Sequence, residues 1–187
     1  MRKLAILAFA LAAAGCGAQN DGGNASGGAS TEAQAGKGEQ PKSNLLQALG
    51  GSADHKVLAN AVKAAGLNET LSGSQPYTLF APTDAAFQKA GGANALLAPD
   101  AKGELVALLT GHIVPGIVTA DDLGRAIERG KGKAQLATMA GGTLSFARDG
   151  DATVVTDAKG GQARLVGDDI AASNGVIHSM DGVLSVR

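Results

Sequence analysis

The stretch that most limits what this chain can become lies near its end: Ala172-Ser173-Asn174-Gly175-Val176-Ile177-His178-Ser179-Met180-Asp181-Gly182-Val183-Leu184. Asn174-Gly175 suits the positive-φ positions of a tight turn, and the residues after it alternate as a strand does. Val183-Leu184 resume the apolar run after the Asp181-Gly182 turn signal. A closing strand this rich in β-branched residues belongs inside a sheet, so the core it completes must begin much earlier. Its polar members, His178 and Asp181, either do chemistry or hold the strand in place.

The first part of the chain cannot supply that core. A basic head, Met1-Arg2-Lys3, precedes an unbroken apolar run of 11 residues from Leu4 to Ala14. A helix needs about 20 residues to span a bilayer, so the run fits the centre of a secretory signal instead. Leu11-Ala12-Ala13-Ala14-Gly15-Cys16 resembles the bacterial lipoprotein signal. By that resemblance residues 1–15 are removed and Cys16 is lipidated, making the membrane the first expected partner. Each buried acyl methylene contributes about 0.8 kcal/mol, so several chains give a stable anchor. Cys16 is the only cysteine, which excludes an intrachain disulfide. Gly17, and not an aspartate, follows it; by resemblance to enterobacterial sorting, this favours the outer over the inner membrane.

Gly17 to Lys42 holds no branched aliphatic and no aromatic residue. Such a segment cannot offset its ordering entropy by burial, so residues 16–42 read as a lipidated, disordered tether. Its r.m.s. reach as a flexible coil is roughly 25–30 Å. The globule is expected over 43–187. Without the leader, 14 of the 16 basic residues face 17 acidic ones. That balance does not suggest a nucleic-acid binder or a polybasic membrane surface.

Within the globule, Leu45, Leu46 and Leu49 have helical spacing, closed by Gly50-Gly51. A second helix follows from Ser52 or Asp54 as N-cap, with Val57, Leu58, Ala61, Val62 and Ala65 on one face and a Gly66-Leu67 stop. His55, in its first turn, reads as a solvated surface residue. Tyr77 to Ala81 reads as a buried strand, with Thr83 as N-cap and Asp84 at a helix start, where negative charge is favoured. Pro99-Asp100 opens a further helix that Gly111 ends. His112-Ile113-Val114-Pro115-Gly116 is a short strand entering a turn, and Ala120 to Leu123 a short helix. Beyond Lys133 the period becomes two: Leu136–Met139, Thr143–Arg148, Ala152–Thr156 and Ala163–Val166 are predicted strands of an antiparallel sheet. Helices first and strands later give an α+β or mainly β fold.

Three of these stretches, Tyr77 to Phe87, His112 to Gly116 and Ala172 to Leu184, together resemble the fasciclin-like domain family, in order and spacing, over about Pro41 to Val186. The resemblance implies a wedge or sandwich of two β-sheets with helices packed at one end, and the first and last stretches as neighbouring central strands. It also implies a non-enzymatic role in adhesion or extracellular interaction, with no cofactor. The family often carries a tyrosine before the central histidine, and that pair is linked to adhesion. Gly111 stands there, so the pair's role is not carried over, whereas His112 is.

Motifs for chemistry are missing. No Gly-x-Ser-x-Gly, phosphate loop or dinucleotide fingerprint occurs, and no two of the three histidines have helical metal-site spacing. The basic cluster Arg125, Arg129, Lys131 and Lys133, broken by Glu128, reads as a solvated edge. Ser179, His178 and Asp84 have the residue types of a hydrolytic triad, without spacing that secures its geometry. A hydrogen bond between Asp84 and His112, pinning a helix end to the central strand, is the expectation instead. Asp84, His112, Pro115, Asn174, His178 and Asp181 are thus structural or interaction candidates. The reading is a monomeric, lipid-anchored interaction module whose partner is a surface protein or polysaccharide. A periplasmic small-molecule-binding protein is the alternative, and an enzyme ranks behind both.

Overall fold

In a computed structural model, residues 41–91 and 101–185 are described. The leader, Cys16, the tether to residue 40 and the Pro99-Asp100 helix start lie outside them. Asn44 opens α1 (Leu45–Gly51) with a capping box: its side chain accepts from the Gln47 amide, and the Gln47 side chain accepts from the Asn44 amide. α2 (Lys56–Ala65) starts after His55, later than either expected cap, and ends at Gly66 in the left-handed region at φ 79°. α3 (Asn68–Ser72) leads into β1 (Tyr77–Pro82), α4 (Asp84–Lys89), α5 (Lys102–Gly111) and β2 (Ile113–Pro115). α6 spans Ala120–Arg129, a longer helix than expected, because the Thr119–Asp122 capping box starts it and Leu123 and Ile127 bury one face. The strands β3 (Lys133–Ala137), β4 (Thr143–Asp149), β5 (Ala152–Thr156), β6 (Gln162–Arg164), β7 (Ile170–Ala172) and β8 (Gly175–Met180) complete the fold.

Two four-stranded sheets result, β2-β1-β8-β7 and β3-β4-β5-β6. The second is an antiparallel meander, as the turn spacing predicts. The first is mixed: β1 and β8 run parallel side by side from Tyr77↔Gly175 to Pro82↔Met180. Period two then divides the central strands between two cores. Leu79, Ala81 and Ile177 pack with Leu45, Leu58, Phe87 and Leu109 from the helices. Phe80 and Met180 pack with Leu123, Ile127, Phe146 and Val155, between the sheets and α6. Buried on both faces, β1 and β8 therefore read as nearly continuous apolar runs. Phe80 and Phe146 meet at a ring-centroid distance of 5.0 Å, a pairing worth about 0.5–1.5 kcal/mol beyond its buried area.

Gly175 is required by close approach and not by a left-handed φ. A Cβ there would overlap the Tyr77 carbonyl oxygen and come within 2.9 Å of Leu45 Cδ1. Neither Asn174 nor Gly175 has positive φ, so the expected turn geometry is corrected. β6 also stops short of the expected strand, at Arg164, because the chain changes sheets there. Leu165 bridges to Met180, and the Val166 amide donates to the Ser179 carbonyl at 2.9 Å.

Candidate functional site

Asp84 stands at the start of α4 but serves a different helix. Its Oδ1 accepts from the Val57 amide at 2.8 Å in the first turn of α2, while its own amide donates to the Asp54 carbonyl at 2.8 Å. A carboxylate suits that position because helix N-terminal amides are both unpaired and partly positive. Thr83 caps α4 itself, accepting from Ala86.

His112 follows α5 and is fully buried. Its Nδ1–H donates to the Leu108 carbonyl at 2.7 Å, and its Nε2 accepts from the Leu184 amide at 3.3 Å. One acceptor and one donor fit a neutral ring, and burial holds its pKa below 6.5. Asp84 and His112 therefore do not bond to each other. Asp84 is spent on α2, while the His112 ring spans from the last turn of α5 to the closing segment. His55 is a second correction: it is 2 % exposed, its Nδ1 lies 2.8 Å from Ser52 Oγ, and burial lowers its pKa too.

Asn174 does more than turn the chain. Its Oδ1 accepts from the Leu45 amide at 2.8 Å, and its Nδ2 donates to the Leu71 and Gly73 carbonyls at 3.0 and 2.6 Å. One side chain thus ties the start of α1 and the end of α3 to the turn before β8. Pro115 is exposed on β2, at the edge of its sheet opposite Tyr77, where a missing amide costs no ladder bond. Asp181 stitches the sheets together: Oδ1 accepts from the Arg164 amide at 2.7 Å, and its own amide donates to the Arg164 carbonyl at 3.0 Å.

His178 is 1 % exposed. Nδ1 lies 2.6 Å from Asp169 Oδ1, Nε2 lies 2.7 Å from the Val118 carbonyl oxygen, and the ring stacks on Phe80 at 5.1 Å. Both nitrogens are engaged, and its carboxylate is Asp169, so Ser179, His178 and Asp84 are not assembled as a triad.

Sequence reasoning missed Asp169 and Asp157. The buried Asp157 carboxylate accepts from the amides of Lys159, Gly161 and Ser185 at 2.8, 2.8 and 2.7 Å. Asp157 and Gly161 lie close in sequence, but nothing local announces Ser185. Asp122, bonded to Arg125 and Thr119, has its pKa lowered to about 2 on the surface.

Among the described residues no group of three His, Cys, Asp or Glu could hold a metal. Open clefts among the described residues, of about 220, 320 and 290 Å³, are lined mainly by polar or charged side chains such as Asp149 and Arg164, Asn44 and Gln47, or Asp121 and Asp168. None of these has the apolar lining typical of a small-molecule site. Ile117, Met139 and Val166 are the large apolar side chains left exposed among the described residues.

The Fasciclin domain family matches residues 53–186. The chain belongs to the fasciclin domain family. Protein sll1483 of Synechocystis sp. is 38% identical over 75% of this chain and 72% of its own length. Transforming growth factor-beta-induced protein ig-h3 of Sus scrofa is 32% identical over 77% of this chain, which spans only 19% of that protein. Among solved structures, the FAS1 domain pair from the insect cell adhesion molecule Fasciclin I superimposes with a TM-score of 0.67 at 21% identity, covering 76% of this chain and 51% of that one. The two-sheet fasciclin fold is thus shared with that pair. No described helix is long and apolar enough to cross a membrane.

Proposed function

We propose that this fasciclin domain is a non-enzymatic, lipid-anchored extracytoplasmic module for cell adhesion or attachment to surface and matrix material. The observation that carries the reading is the family match over residues 53–186, with a solved fold relative described as a cell adhesion molecule. The use of polar groups in the fold agrees with it. Asp84, His112, Asn174, His178 and Asp181 spend their side chains on internal hydrogen bonds that position elements, and no nucleophile and base are assembled among these five. The anchor rests on the sequence signal at Cys16, and the outer membrane is favoured by Gly17. The partner is a surface protein or polysaccharide.

Protease treatment of intact cells, combined with adhesion of cells bearing or lacking the chain, tests the reading. Digestion of the domain together with loss of attachment on deletion is expected. A fully protected domain and unchanged attachment would overturn direct adhesion. Cys16→Ser is expected to release the chain from the membrane fraction, measured by fractionation.

A further inference from the structure

We infer that His178 is a buried imidazolium that, paired with Asp169, latches the 116–120 connection and the loop before β7 onto the central strands, and that the latch loosens as pH rises. A carboxylate and a backbone carbonyl can only accept hydrogen bonds. His178 faces one of each, at 2.6 Å through Nδ1 and 2.7 Å through Nε2, so both nitrogens must carry hydrogen. His112 is the internal contrast, with one acceptor and one donor facing its ring.

The surroundings favour the cation. Asp169 Oδ2 also accepts from the Ala120 amide at 2.8 Å, at the N-terminus of α6, where negative charge is favoured. From β1 the uncharged Phe80 stacks on the ring at an interplanar angle of 19°, an arrangement that attracts a cation. The charged side chains lining the cleft beside Asp169, namely Asp121 and Asp168, are acidic.

What the latch holds is a short connection between β2 and α6. Thr78 grips the same connection, its Oγ1 accepting from the Val118 amide and donating to the Gly116 carbonyl, both at 2.8 Å. Ile117, 52 % exposed, rides between these fastenings. Removing one ring proton sets a nitrogen lone pair against an oxygen lone pair, at Val118 or at Asp169. The connection can then lift while both cores stay packed. The latch is closed while the ring carries both protons and loosens when it loses one, whether or not the domain is adhesive.

Ring nitrogen NMR on the ¹⁵N-labelled full chain tests the assignment directly. Both His178 nitrogens are expected to be protonated at neutral pH, while His112 keeps a single proton on Nδ1. Amide exchange at Val118 and Ala120, corrected for the intrinsic pH dependence, is expected to rise roughly tenfold on the alkaline side, the scale of a lost charge-assisted hydrogen bond. Asp169→Asn, altering a side chain 30% exposed, is expected to produce that opening already at neutral pH. A singly protonated His178 ring at neutral pH overturns the assignment. Exchange at Val118 and Ala120 that ignores both pH and Asp169→Asn overturns the latch.

Discussion

His112 and His55 meet burial as neutral rings, and this gives the domain an acid-sensitive side. Their folded pKa values lie below the ordinary 6.5, so the unfolded chain binds more protons once pH falls below that value. Their contribution to stability is complete above about 6.5. It is lost as pH falls from there toward the depressed folded values. Thermal unfolding followed between neutral pH and pH 5 should show a falling Tm, with a shallower fall in His112→Asn. His112→Ala removes bonds to Leu108 and Leu184 and leaves a void between α5 and the closing segment. A loss of about 2–4 kcal/mol in urea denaturation is expected, and unchanged stability would reject the fastening role.

At the scale of elements, the turn into β8 concentrates the most demanding packing. Gly175→Ala forces a methyl against the Tyr77 carbonyl and Leu45, exactly where β1 and β8 begin to pair. A cost of about 1–3 kcal/mol or more is expected from overpacking, read as a lower urea midpoint with an unchanged slope. Asn174→Asp keeps the shape and the acceptor for Leu45 but sets a carboxylate against the Leu71 and Gly73 carbonyls. It should destabilise at least as much as Asn174→Ala, because lost donors facing two carbonyls are replaced by repulsion. An Asp variant close to wild type in denaturant would show that the two donor bonds contribute little.

Across the whole molecule, β1 and β8 make the two cores one cooperative unit, since each strand gives side chains to both. Leu79→Ala empties space in the helical core and Phe80→Ala in the inter-sheet core, yet each should lower a single shared transition. Calorimetric and van't Hoff enthalpies that agree in both variants would show this; two resolved transitions would separate the cores. Several elements were legible beforehand for local reasons. The Gly66-Leu67 stop, the Thr83 cap and the period-two strands of the meander depend on neighbours in sequence. The Asp84–Val57 and His178–Asp169 bonds were not legible, because each joins residues whose proximity is created by strand pairing and helix packing.

By itself the sequence determined most of the helices and strands, though not α3 or β7, and, through three spaced motifs, the family. Periodicity, caps and turn residues act within a few positions, so they survive in a linear reading. The tertiary structure decided the partner of each buried polar side chain. His55 moved from an expected surface to the interior, Asp84 went to α2 instead of His112, and Asn174 became the tie between α1, α3 and the turn into β8. A buried donor or acceptor must be matched, but the match is chosen by whichever backbone packing brings near. Packing therefore decides the role of the polar residues in Ala172–Leu184: His178 and Asp181 are fasteners because Asp169, Val118 and Arg164 lie within bonding distance.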